Sequence, residues 1–216
     1  MMRTLRTLAV GVLLASIGAV FPLAQPASAA SCAGTYTIVV GGAGDNNSMV
    51  FHGNVSQRVG YPAEPTGWGA RQGTNELNRL VRNQRNQCPG QHVKMMGYSL
   101  GAAVVHTWVT ENWTTFGNVN AVLIADPKRQ GGPRGNGVSG EWFTYFVGAP
   151  LSGVDRFFGN IPVVSICTND YVCDTQAPSG VPGYIWGGNH GAYSFNVDDY
   201  SNTGHGQWFD GVFMPW

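Results

Sequence analysis

The sequence predicts a single α/β domain: a central, mostly parallel sheet with helices on both faces, closed by two disulfides. Three observations carry this. The chain has 216 residues, which at ~100–200 residues per domain is room for one large core. Apolar, strand-like runs alternate with stretches of helical spacing, the order of strands joined by crossover helices. The first run, Thr35 to Val40, is continuously apolar and β-branched, as a strand buried on both faces is. Composition removes other classes. Charged residues are 11% and hydrophobic residues 43%, too apolar for disorder, and 12 basic against 12 acidic groups leave no polybasic surface for nucleic acid.

Residues 1–29 read as a secretory signal and residues 30–216 as the folded domain. Arg3 and Arg6 form a basic start, Leu8 to Val20 an apolar stretch, and Ala27-Ser28-Ala29 a small-residue cleavage site. The apolar stretch is shorter than the ~20 residues of a bilayer span and is followed by Pro22 and Pro26, so no stable membrane span is expected. The formal net charge moves from 0 to −2 when Arg3 and Arg6 leave, so charge steers no particular partner. The expected location is extracellular or in the cell envelope, where cysteines oxidise. Of the three connectivities open to four cysteines, the sequence-local one pairs Cys32 with Cys88 and Cys167 with Cys173. A zinc site is the competing reading, and neither the spacing nor a nearby pair of histidines supports it. Closing the longer ring removes roughly 4 kcal/mol of unfolded-state entropy in the chain-entropy model.

Each element follows in order. Thr35 to Val40 ends at Gly41-Gly42, a strand running into a tight turn. Asn75 to Gln87 places Leu77, Leu80 and Val81 on one face and Arg79, Arg82 and Arg85 elsewhere, an amphipathic helix. His92 to Met96 is the next strand, Leu100 to Trp113 an Ala- and Val-rich helix. Asn120 to Ala125 and Ile161 to Ile166 are two more buried strands, the second delivering the chain into Cys167. Gly131 to Gly140 reads as a flexible Gly-rich loop. No internal repeat occurs.

The chemistry starts at Gly97-Tyr98-Ser99-Leu100-Gly101. A bare G-x-S-x-G is weak, with roughly a one-in-four chance of arising at random in a chain this rich in glycine. Its setting is the informative part: a strand turns sharply into a helix, and the glycines permit a turn that would place the Ser99 hydroxyl above the carboxyl end of the sheet, at a helix N-terminus. A purely structural turn serine is the alternative. A serine hydroxyl needs a base, and the base a carboxylate, in the chain order Ser, Asp, His. Asp170, inside Cys167-Thr168-Asn169-Asp170-Tyr171-Val172-Cys173, is the leading acid, with Asp174 and Asp126 as alternatives. His190, in a Gly-rich loop, is the leading base, with His205 as its rival. His52, His92 and His106 suit structural roles.

The serine pentapeptide, an acid enclosed by a short cysteine ring, the later His190-x-x-Tyr193 and a first cysteine near the mature N-terminus together resemble the cutinase family of α/β-hydrolases. The resemblance spans nearly the whole mature chain. Asp126-Pro127, followed by basic and Gly-rich residues, is also similar to actinobacterial envelope esterases and PE-PPE-type lipase domains. It implies a secreted serine esterase in which Ser99, Asp170 and His190 are nucleophile, acid and base, working through an acyl-enzyme with no metal or organic cofactor. Two departures stand out. Leu100 replaces the polar residue common after the nucleophile, though its backbone N–H remains available to an oxyanion. The loop Gly41-Gly42-Ala43-Gly44-Asp45 is also atypical, and Gly42 or Ala43 is expected to supply the second oxyanion donor.

The expected partner is an ester: a lipid, a short acyl ester or a polyester such as cutin. The chain is expected to act as a monomer. Trp142, Phe143, Tyr145, Phe146, Val147, Phe157 and Phe158 form either an apolar rim for acyl chains or ordinary core. Three rival functions are a catalytically inactive binding protein on the same fold, a cell-envelope lipase or phospholipase, and a protease.

Overall fold

The computed structural model describes residues 32–131, 134–141, 144 and 153–216. Its sheet contains β1 (Thr35–Val40), β2 (Gln57–Arg58), β3 (His92–Tyr98), β4 (Val119–Ile124), β5 (Val163–Cys167), β6 (Gly206–Phe209) and β7 (Val212–Met214). They lie side by side in the order β2-β1-β3-β4-β5-β6-β7. Every neighbouring pair is parallel except β6 and β7. Val40 pairs with Gly97, Tyr98 with Ile124, and Ile124 with Ile166. The four central strands therefore end level, and the loops that follow them meet at one edge of the sheet. This is where ligands bind in open parallel sheets.

Two long helices, α1 (Gly67–Gln87) and α2 (Leu100–Asn112), cover one face. Leu77 and Val81 from α1 and Val104, Val105 and Trp108 from α2 pack with Ile38, Val40, Val93, Met95, Ala121 and Leu123. Burying each such side chain contributes about 1.5–3 kcal/mol. Helix α1 begins well before the expected Asn75. Its glycines conceal it, but Gly73 has a packing reason: a Cβ there would lie 2.8 Å from the Tyr61 ring and 2.9 Å from Val104. Thr66 caps the helix, its hydroxyl accepting the Gly69 N–H at 3.0 Å.

The opposite face of the sheet carries its own cover. Val39, Met96, Val122 and Ile124 are covered there by Phe51, Phe195, Val197 and Tyr200, and among the described residues that cover includes the short 3₁₀ turn Val197–Asp199. Lys94 pins it, its buried ammonium donating to the carbonyls of Val197 and Tyr200 at 2.9 and 3.0 Å. Burial lowers the Lys94 pKa, with Asp198 opposing that shift.

Both expected disulfides are present, Cys32–Cys88 and Cys167–Cys173. The first ties the entry of β1 to the end of α1, and the second closes the turn after β5. The Gly131–Gly140 loop is held rather than loose where it is described: the buried Arg129 guanidinium donates to the carbonyls of Cys173 and Gly135, and the Gly135 N–H donates to Asp174. Among the described residues no helix is long and apolar enough to cross a membrane.

Candidate active site

Strand β3 passes into α2 through a turn that only this glycine pattern allows. A Cβ on Gly97 would lie 2.3 Å from the Gly101 carbonyl, and one on Gly101 would lie 2.1 Å from the Val40 carbonyl. Between them Ser99 takes φ 55° and ψ −120°, a left-handed φ that L-residues rarely adopt and that is a mark of functional turns. Its N–H donates to the Ile124 carbonyl at 2.9 Å, locking the turn to β4. The Ser99 hydroxyl stands 2.8 Å from His190 Nε2, and His190 Nδ1 stands 2.8 Å from Asp170 Oδ2.

Each member of this line is held separately. Asp170 is fully buried in the turn closed by Cys167–Cys173, and its other oxygen accepts the Val172 N–H at 3.0 Å. The Tyr193 hydroxyl donates to Oδ2 at 2.9 Å, and burial, the Asp170 charge and the bond to it push the Tyr193 pKa up, so it stays a donor. His190 sits in the 3₁₀ turn Asn189–Gly191, entered through Gly188 at φ 69°. The Tyr98 hydroxyl donates to the His190 carbonyl at 2.5 Å, and its ring stacks on the imidazole at 4.9 Å and 29°. Tyr184 meets the imidazole edge-on at 5.1 Å; it belongs to the short helix α3 (Gly180–Ile185). Sequence reasoning gave Tyr98 and Tyr184 no role, and noted Tyr193 only as part of a motif.

The turn after β1 lies against the serine, since a Cβ on Gly42 would be 3.3 Å from Ser99 Cβ. Its outer N–H groups are committed: Gly41 donates to Ser48 Oγ and Gly44 to the Ala63 carbonyl, both at 2.8 Å. Among the described residues the N–H groups of Gly42, Ala43 and Leu100 have no such acceptor. The Tyr61 hydroxyl braces the loop by donating to the Gly41 carbonyl at 2.6 Å.

The alternative acids and bases are engaged elsewhere. Asp126 accepts from the buried His106 at 2.6 Å, and Asp155 meets the other nitrogen of that ring at 2.8 Å. Burial opposes the charge on His106, but the two carboxylates outweigh it and its pKa is raised to about 9. Asp174 secures Gly135, and His205 Nδ1 accepts the Val163 N–H at 3.1 Å. His92 bridges Asn118 and Asn120, and the His52 backbone pairs with the segment around Asn196. Of the aromatic stretch, Phe158 is core and Phe157 is exposed; Trp142, Phe143, Tyr145, Phe146 and Val147 lie outside the described residues. Among the described residues no cluster of three His, Cys, Asp or Glu is arranged to hold a metal ion.

The family model for cutinase matches residues 29–199. The chain belongs to the cutinase family. It is therefore a carboxylic ester hydrolase on a single α/β-hydrolase domain. A cutinase-like protein from Cryptococcus sp. superposes with a TM-score of 0.56 at 20% identity, covering 77% of this chain and 89% of that one. An acetylxylan esterase gives a TM-score of 0.47 at 15% identity, covering 73% and 90%. The first likeness shows the shared fold. Among curated proteins none gives a significant sequence match.

Proposed function

We propose that this cutinase-family protein is a secreted serine esterase in which Ser99 is the nucleophile, His190 the base and Asp170 the acid that orients it. The observation that carries the reading is the unbroken line from Ser99 Oγ through both imidazole nitrogens to Asp170 Oδ2, each step 2.8 Å. The Ser99 proton passes to His190 Nε2 as Oγ attacks the ester carbonyl carbon. Asp170 holds the Nδ1–H tautomer and stabilises the imidazolium, and the proton then goes to the departing alcohol. Water repeats the sequence on the acyl-enzyme and regenerates Ser99.

The developing oxyanion is received by the Leu100 N–H and by Gly42 or Ala43. A donor of this kind is worth roughly 3–4 kcal/mol of transition-state stabilisation. Tyr98 and Tyr193 are positioning residues, one for the imidazole and one for the carboxylate. Residues 1–29 act as the export signal, in keeping with two disulfides that persist in an oxidising compartment.

The favoured substrates are aliphatic esters of lipids or polyesters. Val181, Tyr184, Ile185 and Trp186 are exposed, Trp186 at 79%, and Tyr184 among them packs on the His190 ring. An apolar patch at the lip of a polar reaction centre suits an ester whose flanks are hydrocarbon. The test is hydrolysis of p-nitrophenyl butyrate by the wild type and by Ser99→Ala with its fold intact. Activity that vanishes in the variant supports the assignment, and equal activity in both rejects it.

A further inference from the structure

On the face of the sheet away from α1 and α2, the cover that protects β1, β3 and β4 stops at Tyr200 and Ser201, leaving β5, β6 and β7 open among the described residues. A groove of about 600 Å³ lies there. Its floor is a row of cross-strand neighbours, since Ile166 pairs with Trp208 and Trp208 with Phe213. Glycines hollow it: a Cβ on Gly204 would fall 2.7 Å from Val164, and one on Gly206 would fall 2.6 Å from the Phe213 ring. Trp208 is 45% exposed and Phe213 50%, a large apolar surface to leave in water without a partner.

Several of the polar groups along the groove are already used. The Asp199 carboxylate accepts from Ser194 and Asn196. The Tyr200 hydroxyl donates to the Ser194 carbonyl at 2.6 Å. Ser201 Oγ accepts the N–H groups of Thr203 and Gly204, each at 3.1 Å, and His205 Nδ1 is taken by Val163. The apolar floor suits a hydrocarbon chain, which needs no polar partner.

One end of the groove lies near the turn that carries Asp170. Thr168, at its upper end, donates its N–H to the Tyr193 hydroxyl at 3.3 Å, and that hydroxyl binds Asp170. From Val164 to Thr168 the strand direction spans roughly 13 Å at ~3.3 Å per residue. We propose that this groove is a second binding site that takes an extended aliphatic chain, holding a neighbouring chain of a lipid or polyester while another is presented at Ser99. Binding there does not depend on which residues perform hydrolysis.

The test uses the full chain carrying Ser99→Ala, so that nothing is turned over and a failure here leaves the catalytic assignment to its own assay. Sodium decanoate, kept below its aggregation concentration, is titrated against the ¹⁵N-labelled protein. The expected result is saturable shifts at the Val164, Ile166 and Thr168 amides and at the Trp208 indole N–H, absent with butyrate. Adding Trp208→Ser, an exposed position, weakens binding at least tenfold. Shifts confined to position 99 and Val181–Trp186 overturn the proposal. So does saturation by xylo-oligosaccharide in place of decanoate, or self-association in sedimentation that Trp208→Ser abolishes.

Discussion

Tyr98 offers a graded test of how the imidazole is held. Its hydroxyl donates to the His190 carbonyl at 2.5 Å, and its ring lies over the imidazole at 4.9 Å. Tyr98→Phe removes the first contact and keeps the second; Tyr98→Leu removes both. The hydrogen bond is worth about 1 kcal/mol and the stacked pair about 0.5–1.5 kcal/mol. If both act by keeping Nε2 on the Ser99 hydroxyl, kcat falls about fivefold in Tyr98→Phe and about tenfold to a hundredfold in Tyr98→Leu. KM should barely change, because no substrate contact is lost. Stopped-assay kinetics on p-nitrophenyl butyrate, with circular dichroism as a check on folding, read both parameters. Unchanged kcat in a folded Tyr98→Leu, or a rise in KM alone, would refute the positioning role.

Other expectations follow from the same contacts. Asp170→Asn should retain the fold and lower kcat by about 10⁴, the size of effect seen when a triad acid no longer fixes the tautomer; steady-state kinetics measure it. Gly101→Ala forces a Cβ to 2.1 Å from the Val40 carbonyl, so thermal unfolding should show a fall in Tm or no soluble protein, while Gly90→Ala, with open space around it, should leave Tm nearly unchanged. Removing Cys32–Cys88 by double serine substitution should cost about 4 kcal/mol in urea unfolding. The His106 pKa is raised in the folded state to about 9 from 6.5, so its stabilisation is complete below 6.5 and is lost as pH rises through 9. Urea unfolding from pH 6.5 to 9.5 should show this loss, and His106→Gln should flatten it.

The parts legible in the sequence are those where one constraint dominates a short window. A strand that must turn into a helix without clashing needs Gly97 and Gly101, so the serine turn could be read from five residues. The sequence-local cysteine pairs and the buried runs of β1, β3, β4 and β5 were legible for similar reasons. Glycine also hid structure. The start of α1 and the β6–β7 hairpin were not read as elements, because Gly73 and Gly206 answer to tertiary neighbours, Val104 and Phe213, that spacing alone does not reveal. The roles of Tyr98 and Tyr193 depend on a loop about ninety positions from Tyr98 folding back over the sheet. The rim at Val181–Trp186 was missed because Gly180, Pro182 and Gly183 suggest an unstructured turn, yet they close a single helical turn.

The most direct measurement is peptide mapping after reaction with a fluorophosphonate, which modifies only a serine whose proton is being taken. One adduct on Ser99, its rate reduced by at least a hundredfold in folded His190→Ala, is the predicted result. An adduct on another serine, or equal labelling of Ser99 without His190, would contradict the account.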